Sequence, residues 1–151
     1  GDTLDYLVID SPPGTSDEHI TIVQYLKNAG LDGAIIITTP QDVACIDVKR
    51  EINFCKKVGI PILGLVENMS GFVCPKCSHE SYIFRATSGG GERLSRDYDI
   101  PFLGRIPLDP QVMQACETGK SILKECPTSP ASKALLEIVD KLKDHDGKKM
   151  L

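Results

Sequence analysis

Short aliphatic runs, each halted by proline or glycine and separated by helical patterns, constrain the fold of this chain most. The first, Leu4 to Asp10, stops at Pro12, Pro13 and Gly14; the second, Gly33 to Thr39, contains Ile35, Ile36 and Ile37 and stops at Pro40. A third covers Pro61 to Asn68, and a fourth, shorter one covers Ile100 to Ile106 before Pro107. Runs that do not alternate apolar with polar residues suit strands buried on both faces, as in a parallel sheet. Between them, Asp17 to Ala29 sets Ile20, Val23 and Leu26 on one helical face with Ser16 as N-cap, and Gln41 to Val58 places Val43, Ile46, Ile52 and Cys55 at helical spacings before Gly59. Gly91 to Tyr98 and Pro110 to Glu117 read as short helices. Ser129 and Pro130 open a last helix to about Leu142, with Leu135, Ile138, Val139 and Leu142 turned inward. Strand–helix alternation of this kind predicts an α/β fold, a mostly parallel sheet flanked by helices. A chain of 151 residues is enough for one domain with a core.

A net charge of −4 gives no electrostatic footprint for nucleic acid or an anionic membrane. No stretch approaches the ~20 apolar residues that span a bilayer. The six cysteines, Cys45, Cys55, Cys74, Cys77, Cys116 and Cys126, do not resemble the framework of a small secreted domain, since Cys45 and Cys55 fall in a predicted helix. A reduced, cytoplasmic setting is expected. The absence of an initiator methionine before a strand-like run suggests a fragment.

Residues 69–88 follow neither period. This stretch carries Cys74-Pro75-Lys76-Cys77 and the aromatic residues Phe72, Tyr82 and Phe84. A loop of this length in a compact domain is usually functional or disordered, and the thiols favour function. Two thiols three positions apart hold one edge of a metal site but do not fill four coordination positions. As a redox pair they would usually open a helix beside a sheet, which this loop does not provide. As half a zinc site they would need two further ligands, of which His79 is one candidate. As half an iron–sulfur site they would be completed by the same pair from a second subunit. Spacing does not separate zinc from cluster. Cys116 and Cys126 are weaker candidate ligands, and Cys45 and Cys55 are most simply core or helix-surface residues.

Asp10 ends the first run and passes into Ser11-Pro12-Pro13-Gly14-Thr15. A carboxylate at the carboxyl end of a buried strand stands where open α/β sheets bind ligands, and in P-loop NTPases such an Asp holds Mg²⁺. Gly14, without a Cβ, lets the backbone approach a γ-phosphate. The plainer reading is that Asp10 caps a turn. Asp17 and Glu18 read equally well as ordinary first-turn acids, and His19 as structural. Asn68, just past the third run, has an amide able to pair with a purine edge, or simply to form a turn. The stretch from Gly104 to Pro110 could wall the same pocket. No Gly-rich phosphate loop with Lys and Ser/Thr occurs in the chain.

Taken together, Asp5 to His19, Thr38 to Gln41, Glu67 to Gly71 with the following Cys-x-x-Cys, and Gly104 to Pro110 resemble blocks of the Mrp/Nbp family of P-loop ATPases, in the family's order and over nearly the whole chain to about Ser132. The resemblance implies a P-loop NTPase fold of the deviant Walker A, SIMIBI type, truncated before its phosphate loop, so that residues 1–151 form the C-terminal portion of one domain with a thiol loop at about 69–88. It implies a slow ATPase, using ATP and Mg²⁺, that serves as a scaffold for assembling [4Fe–4S] clusters and passing them to cytosolic and nuclear apoproteins. The subunits would form a homodimer or a heterodimer with a paralogue, the cluster bridged by Cys74 and Cys77 of each. By position, Asp10 would be the magnesium-side carboxylate and Gly14 the γ-phosphate sensor. Asn68 would face adenine with Pro107 and Asp109 beside it. The isolated fragment is expected to be inactive for want of the phosphate loop. Two alternatives stand: a non-catalytic module in which zinc staples a dimer, and a partitioning-type ATPase. The polar, short Lys141 to Leu151 tail counts against the latter.

Overall fold

The computed structural model describes residues 4–12, 14, 17–27, 30–74, 76–77 and 79–147. Its centre is a parallel sheet of three strands, β1 (Ala34–Thr38), β2 (Ile62–Glu67) and β5 (Phe102–Arg105), in spatial order β1-β2-β5. Ala34 lies opposite Ile62 and Thr38 opposite Glu67; on the other side Leu65 faces Phe102 and Glu67 faces Arg105. Parallel neighbours require long crossovers. Helix α2 (Asp42–Val58) supplies the first. The second holds a two-stranded antiparallel hairpin, β3 (Phe72–Val73) and β4 (Glu80–Ser81), followed by helix α3 (Gly90–Tyr98). After β5 come α4 (Pro110–Glu117), the short α5 (Ile122–Glu125) and α6 (Pro130–Gly147). Helix α1 (Asp17–Lys27) precedes the sheet.

Strand β2 is buried on both faces, as its apolar run up to Val66 requires. Leu65 joins a core with Ile36, Cys45, Val48, Ile52, Cys55, Leu94 and Ile100 beneath α2 and α3. Its neighbour Val66 points the other way, into a smaller cluster with Leu103 and Ile138 of α6. Helix α2 ends at Gly59, whose left-handed backbone (φ 72°) lets its N–H reach the Cys55 carbonyl. At the start of α6 the Ser129 hydroxyl accepts the Ser132 N–H at 3.1 Å, which satisfies one of the free amides of a helix entered through proline.

Several expectations need correction. Leu4 to Asp10 forms no strand and lies outside the sheet, with Val8 86% exposed. An extended apolar run becomes a strand only when a neighbour completes its hydrogen-bond ladder, and no described segment does so. Burial on both faces also fails for β1, where Ile36 is buried but Ile35 and Ile37 are exposed. The inward face of α2 runs through Cys45, Val48, Ile52 and Cys55, while Val43 and Ile46 face solvent. Val139 of α6 is likewise exposed, and that helix extends past Leu142. Ser16 and Ala29 lie outside the described residues. Among the described residues no helix is long and apolar enough to cross a membrane.

Candidate functional site: a thiol hairpin at the carboxyl end of the sheet

Strands β1, β2 and β5 all end on the same side, at Thr38, Glu67 and Arg105, and the segments that leave them are stitched together by backbone bonds. The Asn68 N–H reaches the Thr38 carbonyl at 2.8 Å. Ile106 N–H donates to Glu67 O, Ser70 N–H to Ile106 O and Leu108 N–H to Gly71 O, at 2.8–3.0 Å. The ladder between β2 and β5 therefore continues, loosely, to the Phe72–Leu108 bridge. Asn68, Pro107 and Asp109, far apart in sequence, are thereby carried on adjoining segments. The Asn68 carboxamide oxygen accepts the Met69 N–H at 2.9 Å, and Met69 takes a left-handed conformation with φ 55°. Such a backbone in a residue with a side chain is an uncommon, strained arrangement of the kind found at ligand sites. Asp109 is the N-cap of α4, accepting Gln111 N–H through Oδ1 at 2.9 Å. Its second oxygen, Oδ2, is buried without a hydrogen-bond partner among the described residues.

Asp10 and Gly14 stand apart from this arrangement. Asp10 is exposed, and Gly14, at φ 103°, donates its N–H to Glu51 Oε1 on α2 at 3.4 Å. His19, expected to be structural, lies with Nε2 2.7 Å from the Pro12 carbonyl oxygen and sets its ring edge-on to Phe54.

The thiols sit at the tip of the β3–β4 hairpin. Val73 pairs with Glu80, and the Cys74 N–H donates to His79 O at 3.0 Å, closing the turn. The backbone amides of Lys76 and Cys77 and the Cys77 thiol favour the ionised Cys74 thiol, holding it below its ordinary pKa. Amides aimed at sulfur stabilise a thiolate, which is the form that ligates metal. By contrast, burial pushes the Cys45 and Cys55 thiols up, as befits inert core residues. Among the described residues no three His, Cys, Asp or Glu side chains gather into a metal-binding group, so His79 does not complete a site with the two thiols. All six cysteines are free thiols.

A charged cluster that the sequence reading passed over lies at the base of this loop. Glu67 is buried and accepts Ser70 Oγ–H at 2.6 Å, Gly91 N–H at 2.6 Å and Arg105 Nε–H at 3.3 Å. Arg105 also grips Glu92. Partial burial works against the Arg105 charge, but Glu92 and Glu67 more than offset it and hold the guanidinium more firmly protonated; the same pairing depresses the Glu92 carboxyl. A glutamate closing an otherwise apolar strand is the signal that would have found this cluster.

The three-stranded parallel sheet flanked by helices, with a thiol-bearing hairpin at its carboxyl edge, defines an α/β protein of the P-loop NTPase-like class. Residues 2–143 match the family described as NUBPL iron-transfer P-loop NTPase, a ParA group, and the chain belongs to that family. It is 62% identical over 146 residues to the cytosolic Fe-S cluster assembly factor NBP35 of Kluyveromyces lactis, covering 97% of this chain and 45% of the relative. Among solved structures it resembles the ADP complex of the nucleotide-binding protein from Archaeoglobus fulgidus (TM-score 0.65, 36% identity), over 78% of this chain and 46% of that one. The fold is shared with the septum site-determining protein MinD from Pyrococcus horikoshii, complexed with Mg-ADP (TM-score 0.58, 24% identity), over 78% of this chain and 44% of that one. The chain thus spans about half the length of these relatives.

Proposed function

We propose that this chain acts as the thiol-bearing portion of an ATP-dependent iron–sulfur scaffold, binding a [4Fe–4S] cluster between two subunits and releasing it to apoproteins. The observation that carries this reading is the thiol hairpin: Cys74 and Cys77 at the tip of β3–β4, with no third ligand gathered among the described residues. Such a half-site calls for a second copy or a paralogue to bring the other two thiolates that a cluster needs. The identity with a cytosolic assembly factor supports the cargo and a cytoplasmic location.

ATP is the second substrate in this reading. Asn68, Pro107 and Asp109 lie on adjoining segments and would form the base wall, the orphaned Asp109 Oδ2 being an acceptor suited to an exocyclic amine. Asp10 would serve the Mg²⁺ side and Gly14 the γ-phosphate. Both would have to move onto the carboxyl edge of the sheet to do so, together with a phosphate loop from elsewhere in the longer protein. Hydrolysis is therefore proposed for the longer protein and not for this chain alone.

Anaerobic reconstitution with iron and sulfide, followed by iron and sulfide analysis and native mass, tests the proposal. The expected result is a dimer holding about four irons and as many sulfides, absent after Cys74→Ala with Cys77→Ala. A dimer containing metal but no acid-labile sulfide would favour the zinc staple instead. Full-length protein that takes up neither would overturn both.

A further inference from the structure

Glu67 commits a carboxylate to the interior: its side chain is only 4% exposed. Removing a charge from water costs several kcal/mol unless hydrogen bonds replace the lost solvent, and here three donors do so. Two of them bracket the thiol loop. Ser70 stands at its entry, two residues before β3, and Gly91 stands at its exit, in the first turn of α3. One carboxylate therefore ties together both stems of a loop whose tip holds Cys74 and Cys77. The third donor, Arg105, links the clamp to Glu92 on α3 and to the β5 edge.

Other contacts hold each stem singly, the Gly71 and Phe72 side to Leu108 and residues 87 and 88 to Asp42, but Glu67 joins the two stems to each other. A cavity of about 600 Å³ opens beside the loop, with Glu67, Ser70 and Arg105 on one side and Tyr82, Phe84 and Arg85 of the returning segment on the other. The exit stem is shaped for the clamp. Gly90 adopts φ 58°, and a Cβ there would run into the Glu67 carboxylate. At Gly91 a Cβ would lie 2.9 Å from both Leu65 Cδ2 and Thr38 Cγ2. Side chains at either position would push the helix start away from the carboxylate it donates to.

We propose that Glu67 is a positioning residue for the thiol loop, fixing the orientation in which Cys74 and Cys77 are presented to a second subunit. The inference rests on the scaffold reading above. A group that orients ligands without touching the metal typically changes metal affinity by roughly 10- to 100-fold when removed. Replacing Glu67 with Gln keeps the shape but leaves one amide N–H₂ facing donors it cannot accept from.

Cadmium alone is a suitable probe, since its thiolate bonds absorb in the ultraviolet and the metal can join two thiol pairs. In the anaerobic wild-type chain cadmium is expected to drive dimerisation, read by sedimentation, with thiolate absorption that disappears in the double cysteine variant. Glu67→Gln, folded by circular dichroism, is expected to need about tenfold more cadmium for half-dimerisation, Ser70→Ala a smaller increase, and Glu67→Asp an intermediate one. A purely structural role would lower the melting temperature and leave the cadmium midpoint of the folded protein unmoved. Wild-type behaviour of folded Glu67→Gln overturns the inference alone. If Glu67→Gln does not fold, an unmoved midpoint in Ser70→Ala overturns it. A wild-type chain whose thiols take up no cadmium overturns this inference and the scaffold reading together.

Discussion

Two residues beside the thiol loop test the local chemistry. Gly91 packs where no side chain fits, against Leu65 and Thr38. Ala usually favours a helix by up to about 1 kcal/mol over Gly, whereas forcing a methyl into packed surroundings costs about 1–3 kcal/mol. The clash should win, so Gly91→Ala is expected to lower stability by about 1–2 kcal/mol in urea denaturation. Asp42, at the first turn of α2, accepts Thr87 Oγ1–H at 2.5 Å and Ser88 N–H at 3.2 Å, and these donors hold its carboxyl below the ordinary 3.8. A depressed carboxyl contributes stability above its unfolded-state pKa and loses it as pH falls through the folded value. The tether of residues 87 and 88 to α2 should therefore survive to pH 3.8 and release below it. The Ser88 amide chemical shift should titrate with a midpoint under 3.8, and Asp42→Asn should abolish that titration.

At the scale of elements, helix α2 shows what periodicity can and cannot settle. Cys45, Val48, Ile52 and Cys55 recur at the spacing of one helical face and are buried. The sequence places Ile52 and Cys55 on that face, but the exposed Val43 and Ile46 offer a competing start to it in place of Cys45 and Val48. Ile52 is fully buried, so Ile52→Ala is expected to cost about 2–5 kcal/mol, while Val43→Ala should stay within about 0.5 kcal/mol. Equal effects in chemical denaturation would mean the helix is turned the other way. Strands β1, β2 and β5 were legible because proline and glycine bound each run, and β2 because a central parallel strand is apolar throughout. The hairpin β3–β4 was not, since strands of two residues have no period to read. The thiol pair and Asn68 stand out as candidates by residue type and position. Glu67 is marked as a glutamate closing an apolar strand, but its partners Ser70, Gly91 and Arg105 are not legible, because they come together only across more than thirty residues of sequence.

The whole molecule exposes more surface than its mass warrants. Its accessible area is 10522 Å², against roughly 7,500 Å² for a compact monomer of 16.4 kDa. Part of the excess is apolar: Ile35 and Ile37 on one face of β1, and Leu4, Tyr6, Leu7, Val8 and Ile9 in the segment outside the sheet. Soluble monomers rarely leave apolar patches beyond a few hundred Å² uncovered, and strand edges with free backbone groups recruit other chains. The chain by itself is therefore expected to bind a hydrophobic dye and to associate with rising concentration. Ile35→Thr with Ile37→Thr keeps the β-branched shape while adding polarity, and should reduce both signals. The double cysteine variant under reducing, metal-free conditions should leave them unchanged, because the hairpin tip lies outside this face. Sedimentation and dye fluorescence on the three proteins separate the two modes of association. A wild-type chain that stays monomeric and dark with dye would mean that residues 4–9 fold back over β1, giving that strand the second buried face its sequence suggests.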